Sequence, residues 1–158
     1  MLLSSAMVYG ANEDNAVPLD EAAPLRATPD GSIVGDLLEI EALADRARHA
    51  YAGLSVTVVR PAVLVGPGVD TVLTRHFESP RLLVLRGSTP RWQFCHVDDA
   101  ASACVAAATG QVDGAVTAAA EGWLSQDEVE ALSGRGHLEL PASMAYGTAE
   151  RLHRLGLT

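Results

Sequence analysis

Four side chains that could hold a metal ion lie close together in the chain: Cys95, His96, Asp98 and Asp99. Thiolate, imidazole and carboxylate groups are the usual ligands of zinc and other transition metals. However, the segment around Cys95 and His96 has the pattern of a strand, and neighbouring residues of a strand point to opposite faces. No second ligand pair follows at a spacing typical of zinc sites. We therefore predict no metal site and interpret the two aspartates as the acidic first turn of a helix.

The composition argues against several functional classes. The 158 residues carry a formal net charge of −9, which disfavours a nucleic-acid partner because phosphate binding requires clustered Lys and Arg. The longest apolar runs, Leu54–Val65 and Ala100–Ala108, are too short to span a bilayer. No basic segment precedes an apolar one near Met1, so a secretory signal is not expected. Two cysteines are too few for a disulfide framework, and we predict a cytoplasmic protein.

Strand-like and helix-like patterns alternate along the chain, which is typical of an α/β fold. Met1–Val8 predicts a buried parallel strand, and Leu54–Val65 is apolar on both faces, as a strand covered on both sides should be. The prolines and acidic residues of Ala11–Gly31 indicate a long surface loop. From Val34 to Tyr51 apolar residues recur every three or four positions, which predicts an amphipathic helix. Its apolar stripe comprises Leu37, Ile40, Ala44, Ala47 and Tyr51.

The remaining patterns predict three short strands and three helices. A capping box, in which Ser125 and Glu128 hydrogen-bond to each other's backbone, marks the start of one helix. The strands are expected at Leu82–Leu85, Trp92–His96 and Ala115–Ala119, and the helices at Asp98–Ala108, Ser125–Leu132 and Ala142–Leu155.

Three segments carry motifs that can be compared with known families. They are LSSAMVYG at Leu3–Gly10, VVRPAVLVGPG at Val58–Gly68 and FCHVDDAA at Phe94–Ala101. In this order they resemble the SSxxVYG, RPxNVYGPG and FIHVDDVA motifs of the extended short-chain dehydrogenase/reductases, of the NAD-dependent epimerase/dehydratase kind. The Pro-rich acidic loop also resembles the loop that precedes the active-site helix in that family. The order of the motifs indicates the C-terminal portion of such a protein.

The resemblance implies proton-transfer chemistry for which this chain has few of the residues. In the family a Tyr acts as general acid/base, a Lys four residues later lowers its pKa, and a Ser positions the substrate oxygen. A phenol with a pKa near ~10 needs such a cation to work near neutral pH. Ser5 matches the Ser, either as a remnant that faces a ligand or as a residue satisfied by nearby backbone. Alignment on Asp36–Glu41 places Ile33 at the Tyr position and Leu37 at the Lys position, and no Lys lies near any Tyr.

The resemblance also implies NAD or NADP as cofactor. Pro61 and Ala62 would line its nicotinamide side, although a strand end in which Pro fixes the exit of the chain explains both residues equally well. Val63 stands where an Asn of the family helps to hold a sugar nucleotide. Dinucleotide binding in this fold uses a Gly-rich turn after the first strand, and neither G-x-G-x-x-G nor G-x-x-G-x-x-G occurs here. We therefore expect that this chain alone does not bind the cofactor.

Together these observations predict one α/β domain over residues 1–158. A partial Rossmann-like parallel sheet with helices on its faces is expected in 1–70, and a small substrate-side region in 71–158. We expect a truncated NAD(P)-dependent epimerase/dehydratase-like protein without turnover of its own. The alternatives are a non-catalytic partner of a complete relative and an active oxidoreductase with relocated catalytic residues. A homo- or hetero-oligomer would form through the Val34–Tyr51 helix or through an unpaired sheet edge. Burial of the helix against the core of its own chain explains the apolar stripe equally well.

Overall fold

The apolar run Leu54–Val65 lies at the centre of the fold, as two strands rather than the single strand expected. In the computed structural model, which describes residues 1–110, 112–141 and 143–144, the two strands join different sheets. The change of partner falls at Val63. The N–H of Ala62 still donates to the carbonyl of Ala118 at 2.9 Å, whereas the N–H of Val63 donates to the carbonyl of Gln93 at 3.3 Å.

Short strands and helices alternate through the described residues, which confirms the predicted α/β class. The strands are β1 (Leu2–Leu3), β2 (Thr57–Pro61), β3 (Val63–Val65), β4 (Leu82–Leu85), β5 (Arg91–Trp92), β6 (Phe94–His96), β7 (Gly114–Ala118), β8 (Leu124–Ser125) and β9 (His137–Leu140). The helices are α1 (Ile33–Ala50), α2 (Val72–Glu78), α3 (Val97–Thr109) and α4 (Gln126–Ser133), with a 3-10 turn at Ala6–Tyr9.

One compact unit comprises Met1–Val69 and Gln93–Glu121. Its parallel sheet has the strand order β1-β2-β7, with Leu2 opposite Val58. β3 and β6 form a second parallel pair in the same unit. The strand expected over Met1–Val8 is wrong beyond Leu3, because the backbone turns there into the 3-10 segment that Ser5 caps.

The core of this unit lies between β2, β6, β7 and α3. Val59, Cys95, Ala100 and Ala118 are buried together there, and the alanines of α3 pack against them. Small side chains let the helix axis approach the strands closely, so the alanine-rich pattern of α3 is a packing feature.

Helix α1 is confirmed to within one residue at each end, and Leu37, Ala44 and Ala47 of the expected stripe are buried or half-buried. The residues that it buries are Gly35, Glu41 and Ala44, whereas Ile40 is exposed. A charged residue, Glu41, is therefore buried on the same face as Ala44. The reason is the ion pair described below, which fixes the rotation of the helix about its axis.

The second compact unit comprises Asp70–Trp92 and the chain from Gly122 onward. It contains the parallel pair β4–β9 and the antiparallel pair β5–β8. The strand expected over Trp92–His96 is therefore two strands with different partners. The capping box that starts α4 is confirmed, while the helix expected at Ala142–Leu155 falls, apart from 143–144, outside the described residues. In the part of the chain that the structure describes, no helix is both long and apolar enough to cross a membrane.

Candidate functional site

Ser5 lies just after β1, at the carboxyl end of a parallel strand, where sites in α/β sheets usually form. Its Oγ accepts a hydrogen bond from the N–H of Met7 at 3.2 Å, so the side chain caps the 3-10 turn that follows. The local sequence explains this turn, because a Ser in extended conformation can satisfy a backbone donor two residues later.

The most elaborate polar arrangement next to Ser5 is a buried ion pair between Arg60 of β2 and Glu41 of α1. Arg60 Nη2 lies 2.6 Å from Glu41 Oε2, and Arg60 Nε lies 3.1 Å and 3.2 Å from the two carboxylate oxygens. Both residues are buried. The two-pronged geometry is the one in which a guanidinium binds a carboxylate most specifically.

Three further groups complete the shell around this pair. Arg60 Nη1 donates to the hydroxyl oxygen of Tyr9 at 2.8 Å and to the backbone carbonyl of Glu21 at 3.2 Å. Ser4 Oγ donates to Glu41 Oε1 at 2.5 Å. Consequently the SSxxVYG segment, the acidic loop, α1 and β2 all meet at one guanidinium.

The shell keeps Arg60 charged inside the protein. Burial by itself lowers the pKa of Arg60, but the hydrogen bonds with Glu41 and Tyr9 outweigh it and raise that pKa above its ordinary value. A buried charge is tolerated only when it is paired and hydrogen-bonded. The arrangement therefore binds elements to one another, and the guanidinium is already used by protein groups.

The acidic loop is held on the sheet by its own contacts. Glu21 Oε1 accepts the N–H of Thr117 in β7 at 2.8 Å, and this bond lowers the pKa of Glu21. Arg26 binds Asp14 with an N–O distance of 2.9 Å. Gly10 has a φ of 73°, and a Cβ there would lie 2.8 Å from the carbonyl oxygen of Arg26. Glycine is thus required at this point, where the loop returns against the end of the strand.

A groove of about 310 Å3 opens where this loop meets the start of α1. Its lining combines hydroxyl, amide, guanidinium and apolar groups, among them Met7, Asn12, Arg26, Thr28, Ser32 and Val34. The groove lies at the carboxyl end of β1, in the position expected for a ligand site in an open α/β sheet.

Ile33 and Leu37, which the sequence comparison predicts at the family's Tyr and Lys positions, lie on a helix whose orientation is fixed at three points. Ser32 caps its N-terminus, Glu41 binds Arg60 in its middle, and Arg48 binds Asp113 near its C-terminus with N–O distances of 2.8 and 2.9 Å. The cap and the two ion pairs therefore hold α1 in place against the sheet.

The side chains on that frame cannot transfer protons. Ile33 is 73% exposed at the first position of α1, and Leu37 is half-buried one turn later. The sequence contains eleven arginines and no lysine. Neither a phenol nor an ammonium group stands at these two places.

The residues expected at the cofactor and substrate are used in packing. Pro61 is the buried last residue of β2, and Ala62 packs against the core while its N–H donates to Ala118. Val63 pairs with Phe94 in the β3–β6 ladder. All three residues are apolar, so their roles beside a nicotinamide ring and a substrate stay predictions, whereas the pyrophosphate would need the Gly-rich turn that this sequence lacks.

The cluster Cys95, His96, Asp98 and Asp99 is arranged as a helix start. His96 Nδ1 accepts the N–H of Asp98 at 3.2 Å and thereby caps α3, while Cys95 is buried in the core. Within residues 1–110, 112–141 and 143–144, no group of three or more His, Cys, Asp or Glu side chains is placed to hold a metal ion.

Sequence reasoning missed the roles of Ser4, Tyr9, Glu41 and Arg60. A signal for them existed, since Arg60 interrupts an otherwise apolar run in a strand covered on both faces. A charge in such a strand needs a buried partner of opposite sign. The choice among the acidic residues of α1 depended on the rotation of that helix, which periodicity alone did not fix.

Comparison with curated proteins finds relatives longer than this chain. An uncharacterized protein of Mycobacterium tuberculosis (strain ATCC 25618 / H37Rv) is 28% identical over 141 residues, which are 89% of this chain and 38% of that protein. An uncharacterized protein of Sinorhizobium fredii (strain NBRC 101917 / NGR234) is 34% identical over 110 residues, covering 66% of this chain and 26% of that protein. The chain thus spans well under half the length of these relatives.

Solved structures confirm the fold. A UDP-N-acetylglucosamine 4-epimerase from Methanobrevibacter ruminantium superposes with a TM-score of 0.67 at 18% identity, covering 89% of this chain and 49% of that chain. An NAD-dependent NDP-hexosamine 5,6-dehydratase of tunicamycin biosynthesis gives a TM-score of 0.66 at 22% identity, covering 88% and 48%. The family model described as "NAD dependent epimerase/dehydratase family" matches residues 1–118. On these grounds the chain belongs to the NAD-dependent epimerase/dehydratase family.

Proposed function

We propose that this chain is a catalytically silent member of its family, in which the frame of the active site is kept and the proton-transfer groups are lost. The observation that supports the proposal is the identity of the residues at two positions of α1. Its orientation is fixed by Glu41 and Arg60, yet it presents Ile33 and Leu37 where a general acid and its cation would stand. Aliphatic side chains neither donate nor accept protons.

We further propose that this chain by itself does not hold NAD or NADP. Solved relatives are described as NAD complexes, for example the dTDP-glucose 4,6-dehydratase of Bacillus anthracis. Binding of the pyrophosphate uses free backbone N–H groups at a Gly-rich turn. The sequence has no such turn.

The test is thermal unfolding of the full chain with and without millimolar NAD, NADH, NADP and NADPH. A ligand that binds only the folded state must raise the unfolding midpoint. We expect the midpoint to stay unchanged, and no turnover with UDP- or dTDP-linked sugars. A saturable rise with any dinucleotide would contradict the cofactor proposal. Turnover that is lost in Ser5→Ala would contradict catalytic silence and identify an enzyme with relocated residues.

A second role, as a partner in an oligomer, is favoured by the side chains that α1 leaves uncovered. Ile33, Ile40, Leu43 and Tyr51, which follows the last helical turn, are exposed and lie along one side of the helix. Exposed apolar side chains on one side of a helix are a feature of helix–helix contact surfaces. Core burial accounts for Ala44, Leu37 and Ala47 of the expected stripe, which are buried or half-buried, and the exposed residues support the oligomer proposal.

We propose a second copy of this chain as the occupant of the stripe, with the two α1 helices antiparallel. Glu39 and Arg46 flank the stripe on the same side, one on each half of the helix. In an antiparallel pair with a two-fold axis near Leu43, Glu39 of each copy faces Arg46 of the other. Opposite charges then meet at both ends of the contact.

Sedimentation velocity of two matched variants tests this role. Leu43 is 62% exposed on the stripe, and Val105 is 63% exposed on α3. We expect Leu43→Glu to produce monomers at concentrations where the parent chain and Val105→Glu are dimers. A parent chain that stays monomeric at all concentrations would contradict self-association. If the parent chain bound a complete relative instead, and Leu43→Glu abolished that binding, the relative would replace the second copy as the occupant of the stripe.

A further inference from the structure

A second groove, separate from the one at the carboxyl end of β1, runs between α1 and the strands β2 and β7. Its volume is about 440 Å3, within the range of small-molecule sites in proteins. It extends along β2 from Val58 to Arg60 and reaches Gly114, the first residue of β7. Helix α1 buries few side chains on the sheet, which leaves this space beneath its second half.

The apolar part of the lining comes from the helix, the sheet and the acidic loop. It consists of Leu25, Leu38, Ala42, Ala44 and Val58. Ala42 is exposed at the rim, whereas Ala44 and Val58 are buried at the base. Ala42 and Ala44 lie on opposite edges of the helix face that lines the groove, because residues two apart on a helix point in different directions.

The charged part of the lining is neutralised within the wall. Arg60 binds Glu41 at 2.6 Å, and Arg48 binds Asp113 at 2.8 Å and Asp45 at 3.8 Å. Each of the four charged residues that line the groove therefore has an ion-pair partner. A charged ligand would have to break one of these pairs or remain uncompensated, and both cost free energy.

We propose that this groove is a binding site for a neutral, largely apolar small molecule with an aromatic or aliphatic body. Release of ordered water from the apolar lining drives such binding, and the paired charges at the wall select against ions. Ser5, Ile33 and Leu37 do not line the groove, but it shares Glu41 and Arg60 with the ion pair next to Ser5.

Binding of indole to the full chain, followed by isothermal titration calorimetry, tests the proposal. Benzoate and benzylammonium, of similar size and opposite charge, serve as comparison ligands. We expect saturable one-to-one binding of indole, and at least about tenfold weaker binding of the two ions, a difference of about 1.4 kcal/mol. Absence of saturable indole binding, or equal binding of either ion, would overturn the proposal.

Two variants locate the site. Ala42→Leu fills the groove from its exposed rim and should weaken indole binding about tenfold or more. Ala106→Leu makes the same change at an exposed position of α3 outside the groove and should leave binding unchanged. Equal affinity in Ala42→Leu and Ala106→Leu would show that indole binds elsewhere. In the parent chain, which needs no substitution to fold, the methyl resonances of Leu38 and Ala44 must shift during the titration; unmoved resonances would refute the assignment.

Discussion

Removal of one charge from the buried ion pair provides a sharp test of how this fold is held together. Arg60 and Glu41 side chains are 8% and 5% exposed, and Glu41→Gln would leave the guanidinium without a counter-charge. Breaking a buried pair from one side typically costs about 3–5 kcal/mol. Since a domain is stable by only about 5–15 kcal/mol, this single change should remove a large part of the free energy of unfolding.

The chain contains a matched control. Arg75 binds Asp70 with similar geometry, Nε–Oδ1 2.6 Å and Nη2–Oδ2 2.8 Å, but these side chains are 69% and 67% exposed. Because water solvates both groups, Asp70→Asn should leave stability nearly unchanged. The two variants differ in burial far more than in hydrogen-bond geometry.

Urea unfolding followed by circular dichroism measures the difference. With a slope of about 2 kcal/mol per molar urea, Glu41→Gln should lower the midpoint by about 2 M and Asp70→Asn should barely move it. The double variant Glu41→Leu with Arg60→Met should recover part of the loss of Glu41→Leu, because no uncompensated charge remains. If Glu41→Gln costs no more than Asp70→Asn, or if the double variant loses the sum of its single changes, the reasoning is refuted.

Three further predictions concern other parts of the chain. The double variant Ile33→Tyr with Leu37→Lys should have a lower tyrosine pKa than Ile33→Tyr with Leu37→Met, because the ammonium group one helical turn away favours the phenolate. Ultraviolet titration measures both pKa values. Equal values would show that α1 does not hold the two positions together. Burial lowers the pKa of His76, whose Nε2 is enclosed without a hydrogen-bond partner. As the pH falls below about 6.5, His76 therefore binds a proton in the unfolded chain before it does so in the folded chain. Stability that is present above that pH should be lost below it, and His76→Leu should make the urea midpoint fall less steeply with decreasing pH. An unchanged pH dependence in the variant would contradict this. Ser125→Ala removes the cap of α4 and should cost about 1 kcal/mol in urea unfolding, whereas the same change at exposed Ser102 should cost less.

Much of the architecture follows from local chemistry. The helix over Ile33–Ala50 was predictable from its period, and the start of α4 from the capping box at Ser125. Both depend on residues within a few positions of each other, so the sequence contains the whole cause. The break of Leu54–Val65 at Val63 could not be predicted in this way, because it depends on which distant strands supply partners on each side.

In the candidate site, too, some features follow from the sequence alone and others only from the tertiary structure. The amino-acid sequence by itself determined that no phenol–ammonium pair and no Gly-rich phosphate turn exist in this chain, because the presence of a functional group is a property of composition and spacing. Only the tertiary structure decided that Glu41 faces inward and Ile40 faces outward. The period of α1 allowed either rotation. The buried guanidinium of Arg60 selected one, because the free energy of an unpaired charge in a sheet core exceeds that of leaving a few apolar side chains in water.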